Sequence, residues 1–117
     1  MKAAGEGATG RRLVLLVLAV LQHGALHGYG VARQIEEDSG GLFNPGEGLL
    51  YPLLHELEQA GLLAGRWEEA SGRKRKLYAL TRSGERRLAE ERQRWAAEAR
   101  AVMGVVGAKE DVGLALG

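Results

Sequence analysis

The chain has no cysteine among its 117 residues, which excludes disulfide bonds and zinc sites built from thiolates. It also lacks a long apolar run. The stretch 13–21 follows Arg11 and Arg12 as in a signal peptide, but it is far shorter than the ~20 residues that span a bilayer. No small-x-small cleavage site follows it. We therefore expect a cytoplasmic protein that has no membrane segment.

Patterns of reactive side chains are missing as well. His23, His27 and His55 do not have the spacing of metal ligands, and no serine lies in the context of a nucleophile elbow. The sequence therefore predicts no metal site, no cofactor and no enzymatic activity.

The chain has little excess of either charge sign, because its formal net charge is +1. The charges are nevertheless unevenly distributed. Residues 1–61 hold 4 Lys/Arg against 7 Asp/Glu, whereas residues 66–100 hold 11 against 6. The second half of the chain should therefore attract a polyanion.

Hydrophobic periodicity predicts helices in the first half of the chain. After a mobile tail at residues 1–8, Thr9 is a candidate cap for a helix that runs to about His23, with Gly24 as its left-handed stop. This helix is apolar nearly all round, so we expect it at the centre of the core. A second, amphipathic helix is predicted at about residues 29–38.

A third helix should end before Gly61, but its start is open. Asn44 and Pro45 look like a cap followed by a proline at the first helical position. Pro52 would then lie two turns inside the helix, where proline removes a hydrogen bond. A start near Gly48 places Pro52 at the edge of the first turn, so we expect a bent or late-starting helix.

Two strands follow at about 62–69 and 74–80, joined by a turn at 70–73. Tyr78 and Leu80 share one face of the second strand and should point inward. The turn leads into a basic cluster, and cations at the tip of a hairpin can contact phosphates. The cluster comprises Arg73, Lys74, Arg75 and Lys76.

Thr81 is predicted to cap a long final helix. Its apolar residues follow a spacing of threes and fours, which is typical of a helix that pairs with another helix. This predicted dimerisation seam contains Leu88, Trp95, Ala99, Val102 and Val106.

These elements predict a mainly α fold with a small β-hairpin. We assign residues 9–80 to a winged helix-turn-helix domain and residues 81–107 to a dimerisation helix. Residues 108–117 should be a loose tail.

At residue level the chain resembles the PadR family of bacterial transcriptional regulators. The resemblance covers about residues 13–84, and the order and spacing of its segments are more specific than any one of them. The compact terminus is similar to the branch of the family that has a single C-terminal helix. The matching segments are Leu-His-Gly-Tyr-Gly at 26–30, Ser-Gly-Gly-Leu-Phe at 39–43, Gly-Leu-Leu-Tyr-Pro at 48–52, Leu-Glu-Gln-Ala-Gly-Leu at 57–62 and Gly-Arg-x-Arg-Lys-x-Tyr-x-Leu-Thr-x-x-Gly at 72–84.

The resemblance implies a homodimer that binds double-stranded DNA, represses a promoter and releases it when a small molecule binds. It implies that residues 48–60 form the recognition helix, with Tyr51 at the DNA surface, and that the wing contacts backbone phosphate or the minor groove. By this resemblance Trp95 would line a ligand site at the dimer interface, with Ala99 one turn further, for a planar or cationic effector. The predicted DNA-binding set is Tyr51, His55, Arg73, Lys74, Arg75 and Lys76.

The sequence departs from the family pattern at two places. Leu49 stands where a hydroxyl residue is usual, and His55-Glu56 replaces a commonly basic pair, so the recognition helix has no Lys or Arg. An alternative function is therefore a winged-helix module that binds a protein or small molecule and has weak or lost DNA binding. Tyr51 and Trp95 also have alternative roles, in packing and in dimer contacts respectively.

Overall fold

The computed structural model describes residues 4–107. Three helices and a β-hairpin are followed by a long terminal helix, and a short extra strand makes the sheet three-stranded, in the antiparallel order β1-β3-β2. This architecture confirms the predicted winged helix-turn-helix with a C-terminal helix. The elements are α1 (Gly7–Leu21), β1 (Leu26–His27), α2 (Gly28–Asp38), α3 (Glu47–Gln59), β2 (Leu63–Ala70), β3 (Arg73–Leu80) and α4 (Arg82–Val106).

The core forms where α1, α2 and α3 meet beneath the sheet. Val17 and Leu18 of α1 are adjacent in sequence, yet both are fully buried, as expected for a helix that is apolar nearly all round. Burial of each such side chain contributes about 1.5–3 kcal/mol. A rigid core beneath α3 holds the outer face of that helix in a fixed position.

The N-terminal segment differs from its prediction. Helix α1 begins at Gly7, within the predicted mobile tail 1–8, and its N-cap is Glu6 instead of Thr9. Ala4 and Gly5 lie directly against the helix at Gly10, where a side chain would overlap their backbone. The small residues allow this close approach, so the chain folds back over α1.

Helix α1 also ends earlier than predicted, at Leu21 instead of His23. The chain then becomes extended, and Leu26 and His27 pair with Tyr78 and Leu77 of β3. Sequence periodicity did not predict this strand, because two residues are too few to produce an alternating pattern.

Helix α3 begins at Glu47 with Gly46 as its N-cap, so the cap at Asn44 is wrong and the late start near Gly48 agrees with the structure to within one residue. Pro52 is consequently inside the helix. The predicted end is confirmed: Leu62 N–H donates to Leu57 O at 2.9 Å and Gly61 N–H to Glu58 O at 3.0 Å. With Gly61 at φ +79°, this is a Schellman motif.

The hairpin closes through Ser71 and Gly72, which have φ values of +53° and +75°. Two consecutive positive φ values are the pattern of a type I′ turn, whose twist matches that of the flanking strands. Tyr78 is buried, as predicted. The turn brings the basic cluster to the far end of the hairpin.

Helix α4 is capped by Thr81, as predicted: the side-chain oxygen accepts from Gly84 N–H at 3.0 Å. The helix ends at Val106, and its C-cap Gly107 is left-handed. Its 25 residues give a length of about 37 Å. The described part of the molecule measures 55 × 28 × 27 Å. The predicted loose tail 108–117 lies outside the described residues. Among the residues that are described, no helix is long and apolar enough to cross a membrane.

Candidate nucleic-acid interface

Helix α3 packs on the core with one face and exposes the other. Leu50, Leu53, Leu54 and Leu57 are buried, whereas Tyr51 and His55 of the predicted DNA-binding set are exposed. Gln59 extends this exposed face by one turn, although the sequence pattern alone did not single it out. Its amide can pair with an adenine edge, and the helical spacing from His55 was the signal that could have identified it.

Two of the three acidic residues of α3, Glu56 and Glu58, do not lie at the centre of that exposed face. The third, Glu47, is exposed in the first turn, four residues before Tyr51. Glu56 accepts a hydrogen bond from Ala4 N–H at 2.7 Å, and Glu58 accepts one from Lys76 Nζ at 2.6 Å. Both residues flank the buried Leu57, so they lie along the edges of the core-facing side. The acidity of the recognition helix is therefore partly neutralised within the chain.

Tyr51 combines the two roles that the sequence left open. Its ring rests on the backbone of Gly28 at the start of α2, where any side chain would overlap the ring. The side chain still keeps 40% of its surface exposed. Next to it, the exposed Tyr29 accepts a hydrogen bond from Arg33 at 3.3 Å. The start of α2 thus adds a second tyrosine to this surface.

The four cations of the wing have different environments. Arg73 and Lys74 are exposed at the hairpin tip, and the side chain of neither forms a hydrogen bond or ion pair with another residue of the range 4–107. Arg75 Nη2 lies 3.2 Å from His27 Nδ1. Lys76 is turned away from the tip toward Glu58, and this hydrogen bond raises the pKa of Lys76.

His27 links the body of the protein to both long strands of the sheet. Its Nδ1 accepts from Arg75 on β3, and its Nε2 donates to Glu68 Oε1 on β2 at 3.0 Å. The hydrogen bond with His27 lowers the pKa of Glu68. The sequence did not connect His27 with the wing, because its two wing partners lie more than 40 residues away in the chain.

Between the wing and α3 lies a cleft of about 310 Å³ with aromatic and cationic walls. It connects the exposed face of α3 to the hairpin, so the two predicted DNA-contacting elements form one continuous surface. The walls include His27, Tyr29, Tyr51, Trp67, Lys74 and Arg75.

The predicted dimerisation seam is divided between the core and the surface. Leu88 is only 3% exposed and packs in the core of its own chain, so its assignment to the seam is corrected. Ala99 is half-buried, and exposed apolar side chains cluster toward the end of α4. These are Val102, Met103, Val105 and Val106.

Trp95, the predicted ligand-binding residue, is 43% exposed. The Arg12 guanidinium lies 5.7 Å from its ring and 5.9 Å from the ring of Phe43. One face of Trp95 is therefore already occupied by a cation of the same chain. Within residues 4–107 no cluster of three or more His, Cys, Asp or Glu has the arrangement of a metal site.

The three-helix core, the exposed α3 and the cationic hairpin define a winged helix-turn-helix protein. The chain belongs to the PadR-like family of transcriptional regulators, whose sequence profile matches residues 17–90. Members of this family are transcriptional regulators and not enzymes.

Similar proteins support the assignment. The chain is 33% identical over 90 residues to the transcriptional regulator Rv3488 of Mycobacterium tuberculosis, with 74% of this chain and 81% of the relative covered. It is 35% identical over 81 residues to the transcriptional regulator YqjI of Escherichia coli. That match covers 69% of this chain but 38% of the relative, so the chain spans just over a third of YqjI.

Solved structures show the same fold. A PadR family regulator from Eggerthella lenta superposes with a TM-score of 0.72 at 32% identity, with 82% of both chains covered. Bacillus subtilis PadR in complex with operator DNA gives a TM-score of 0.63 at 28% identity, and the match covers 68% of this chain and 46% of that one.

Proposed function

We propose that the chain is a DNA-binding transcriptional regulator that acts in the cytoplasm as a homodimer and represses its target promoter. The observation that carries this proposal is the continuous surface formed by the exposed face of α3 and the hairpin tip. Arg73 and Lys74 stand exposed at the tip, whereas Glu56 and Glu58 are held at the edges of α3. The similarity to a PadR in complex with operator DNA supports the same function.

On this surface α3 would enter the major groove and the wing would follow the backbone. His55 and Gln59 offer a ring nitrogen and an amide to base edges, and the Tyr51 hydroxyl offers a hydrogen bond to phosphate. Arg73 and Lys74 would neutralise phosphates beside the groove. Because α3 carries no Lys or Arg, phosphate affinity would depend mainly on the wing.

The dimer is proposed from the apolar end of α4. The residues from Val102 to Val106 extend beyond the body of the chain, and most of them are apolar and exposed. A matching helix from a second copy would cover this surface in a symmetric contact. Two copies would then present their α3 helices to half-sites about one helical turn apart.

A small planar effector is proposed to bind at Trp95. Arg12 already lies over one face of the indole, and Arg11 and Arg94 border the same depression together with Glu91 and Glu98. A cationic effector would have to displace Arg12, so an uncharged or anionic planar molecule suits the site better. Such a ligand would release DNA if it binds more tightly to a dimer whose wings are differently spaced.

A second candidate function is an interaction module with weak or lost DNA binding. The absence of Lys and Arg from α3 favours it, since phosphate contacts provide most non-specific affinity. This module would bind a protein or a small molecule through the same Trp95 surface.

Fluorescence anisotropy with labelled duplex DNA from upstream of the chain's own gene separates the two functions. We expect preference over scrambled DNA, a steep loss of affinity with salt, and release when an uncharged planar dye is added. Arg73→Gln with Lys74→Gln should weaken binding and reduce the salt slope by about 0.9 for each phosphate that is no longer neutralised. Equal, feeble binding of both duplexes by the unmodified chain would instead favour the interaction module.

A further inference from the structure

We infer that Glu58 and Lys76 are positioning residues, which set the angle of the wing against the recognition helix, and that Lys76 does not contact phosphate. This inference rests on the proposed function, because it concerns how the same surface binds DNA. It reverses the sequence-based assignment of Lys76 as a DNA contact, and it gives the acidic Glu58 a role in DNA binding.

The environment of Lys76 is partly buried. Its Nζ lies 2.6 Å from Glu58 Oε1, and only 22% and 23% of the two side chains is exposed. The same ammonium lies 5.4 Å from the ring centre of Trp67 and 5.8 Å from that of Tyr78. A carboxylate and two aromatic rings thus hold the cation, although its side chain also borders the cleft between the wing and α3. A phosphate in that cleft would have to compete with Glu58 for a charge that is already paired.

The pair joins the two elements whose relative position matters for DNA binding. Glu58 lies in the last turn of α3, and Lys76 lies in the middle of β3. The contact connects residues 18 positions apart and crosses β2, which separates them. An ion pair at this place therefore fixes the hairpin to the recognition helix.

Gly65 of β2 provides the space for this contact. It pairs with Tyr78 of β3, directly below the path from Glu58 to Lys76. A Cβ atom at position 65 would lie 2.7 Å from Glu58 Oε2 and 2.5 Å from Lys76 Cε. A side chain here would push the two charged groups apart, so the glycine is an independent indication that the pair is built into the fold.

Two interpretations of Glu58 give opposite expectations. If Glu58 only repels DNA, its neutralisation should tighten binding, because a negative charge disappears and Lys76 is released toward phosphate. If Glu58 positions the wing, the same change should weaken binding although the surface becomes more positive. The sign of the effect is therefore the test.

The experiment measures DNA affinity and its salt dependence for Glu58→Gln, Lys76→Met and the double variant, by anisotropy with the duplex from upstream of the gene. Methionine keeps the aliphatic packing of Lys76 on Trp67 and Tyr78. We expect each single variant to raise Kd by about tenfold, within the range for residues coupled in one ion-pair network. The double variant should be no weaker than either single one, and the salt slope should stay unchanged.

Lys74→Met is the matched control, because Lys74 lies two residues away on the same strand and is exposed. It should lower the salt slope by about 0.9 for each phosphate that is no longer neutralised, which Lys76→Met should not do. Gly65→Ala should reproduce the loss of affinity without changing any charge, and Lys76→Arg should retain most of the affinity of the original chain.

Thermal unfolding of each variant distinguishes a loss of wing positioning from a loss of stability of the fold. The inference is overturned if Glu58→Gln binds as well as or better than the original chain, or if Lys76→Met lowers the salt slope as much as Lys74→Met. It is also overturned if the variants lose thermal stability and keep their DNA affinity. Failure of the unmodified chain to bind either duplex would instead contradict the proposed function itself, before any variant is compared.

Discussion

Two glycines, which have no side chain, determine where larger side chains of the candidate interface lie. Gly28 leaves room for the ring of Tyr51, and Gly65 leaves room for Glu58 and Lys76. Neither glycine has a positive φ, so each is required for space and not for an unusual backbone. A single methyl group at either place would therefore move a functional side chain without preventing the local fold.

We predict that Gly28→Ala displaces Tyr51 and weakens DNA binding. The new methyl group would overlap the ring, which can move because it is partly exposed. Loss of the hydrogen bond to phosphate that we propose for Tyr51 would cost about 1.5–3 kcal/mol, or roughly tenfold or more in Kd. Anisotropy titration gives Kd, and the resonances of the Tyr51 ring report its displacement.

Gly30→Ala is the control in the same helix. A Cβ at position 30 would lie 3.6 Å from Leu26 Cδ2, which is an ordinary contact, so alanine should stabilise the chain by about 0.4–1 kcal/mol. Its DNA affinity should not change. Equal DNA affinity of the two alanine variants would show that Tyr51 is not a DNA contact.

At the scale of elements, Thr81 joins three parts of the chain. Its side chain caps α4 and donates to Gly61 O at the end of α3 at 2.6 Å. Its backbone N–H donates to Leu62 O at 3.1 Å, just before β2. The recognition helix, the wing and the terminal helix therefore meet at one residue, which can transmit a movement of α4 to the DNA-binding surface.

We expect Thr81→Ala to destabilise the chain by about 1–2 kcal/mol, because it removes the cap of α4 and a hydrogen bond to Gly61. Chemical denaturation with urea measures this difference. Thr81→Ser keeps both hydrogen bonds and should lose much less. If serine and alanine destabilise the chain equally, the threonine methyl group, and not its hydroxyl, is what matters.

The shape of the whole molecule is set by α4, which begins on the core and extends beyond it. Leu88 belongs to the core, whereas the residues near the end of α4 are exposed in the single chain. A terminal helix with exposed apolar side chains is best explained by a second copy that covers them. The dimer would then determine the distance between the two wings.

We predict that Val102→Lys weakens the proposed dimer, because it places a charge in a surface that a second copy would bury. Sedimentation velocity over a range of concentrations should show a shift toward monomer, with a matching loss of DNA affinity. Ala97→Lys adds the same charge on the opposite side of α4 and should leave the sedimentation profile unchanged. A monomeric unmodified chain, or identical profiles for both variants, would contradict the proposed seam.

The sequence alone determined the order of the helices and of the two long strands, and several of their ends. Those features depend on neighbours within a few residues: Gly61 ends α3, Thr81 caps α4, and the basic cluster follows a turn. The family resemblance, which the comparisons confirmed, likewise consisted of short segments in a fixed order. Local hydrogen bonds and backbone preferences depend on adjacent residues, so a single sequence suffices to identify them.

The tertiary structure decided which side chains remain available at the interface. Lys76 and Arg75 look equivalent to Arg73 and Lys74 in the sequence. In the structure, however, Glu58 holds Lys76 and His27 holds Arg75. Arg75 and its partner His27 lie 48 positions apart, and β1 exists only because β3 pairs with it. Contacts of this kind depend on how distant segments pack, and no pattern of neighbouring residues encodes them.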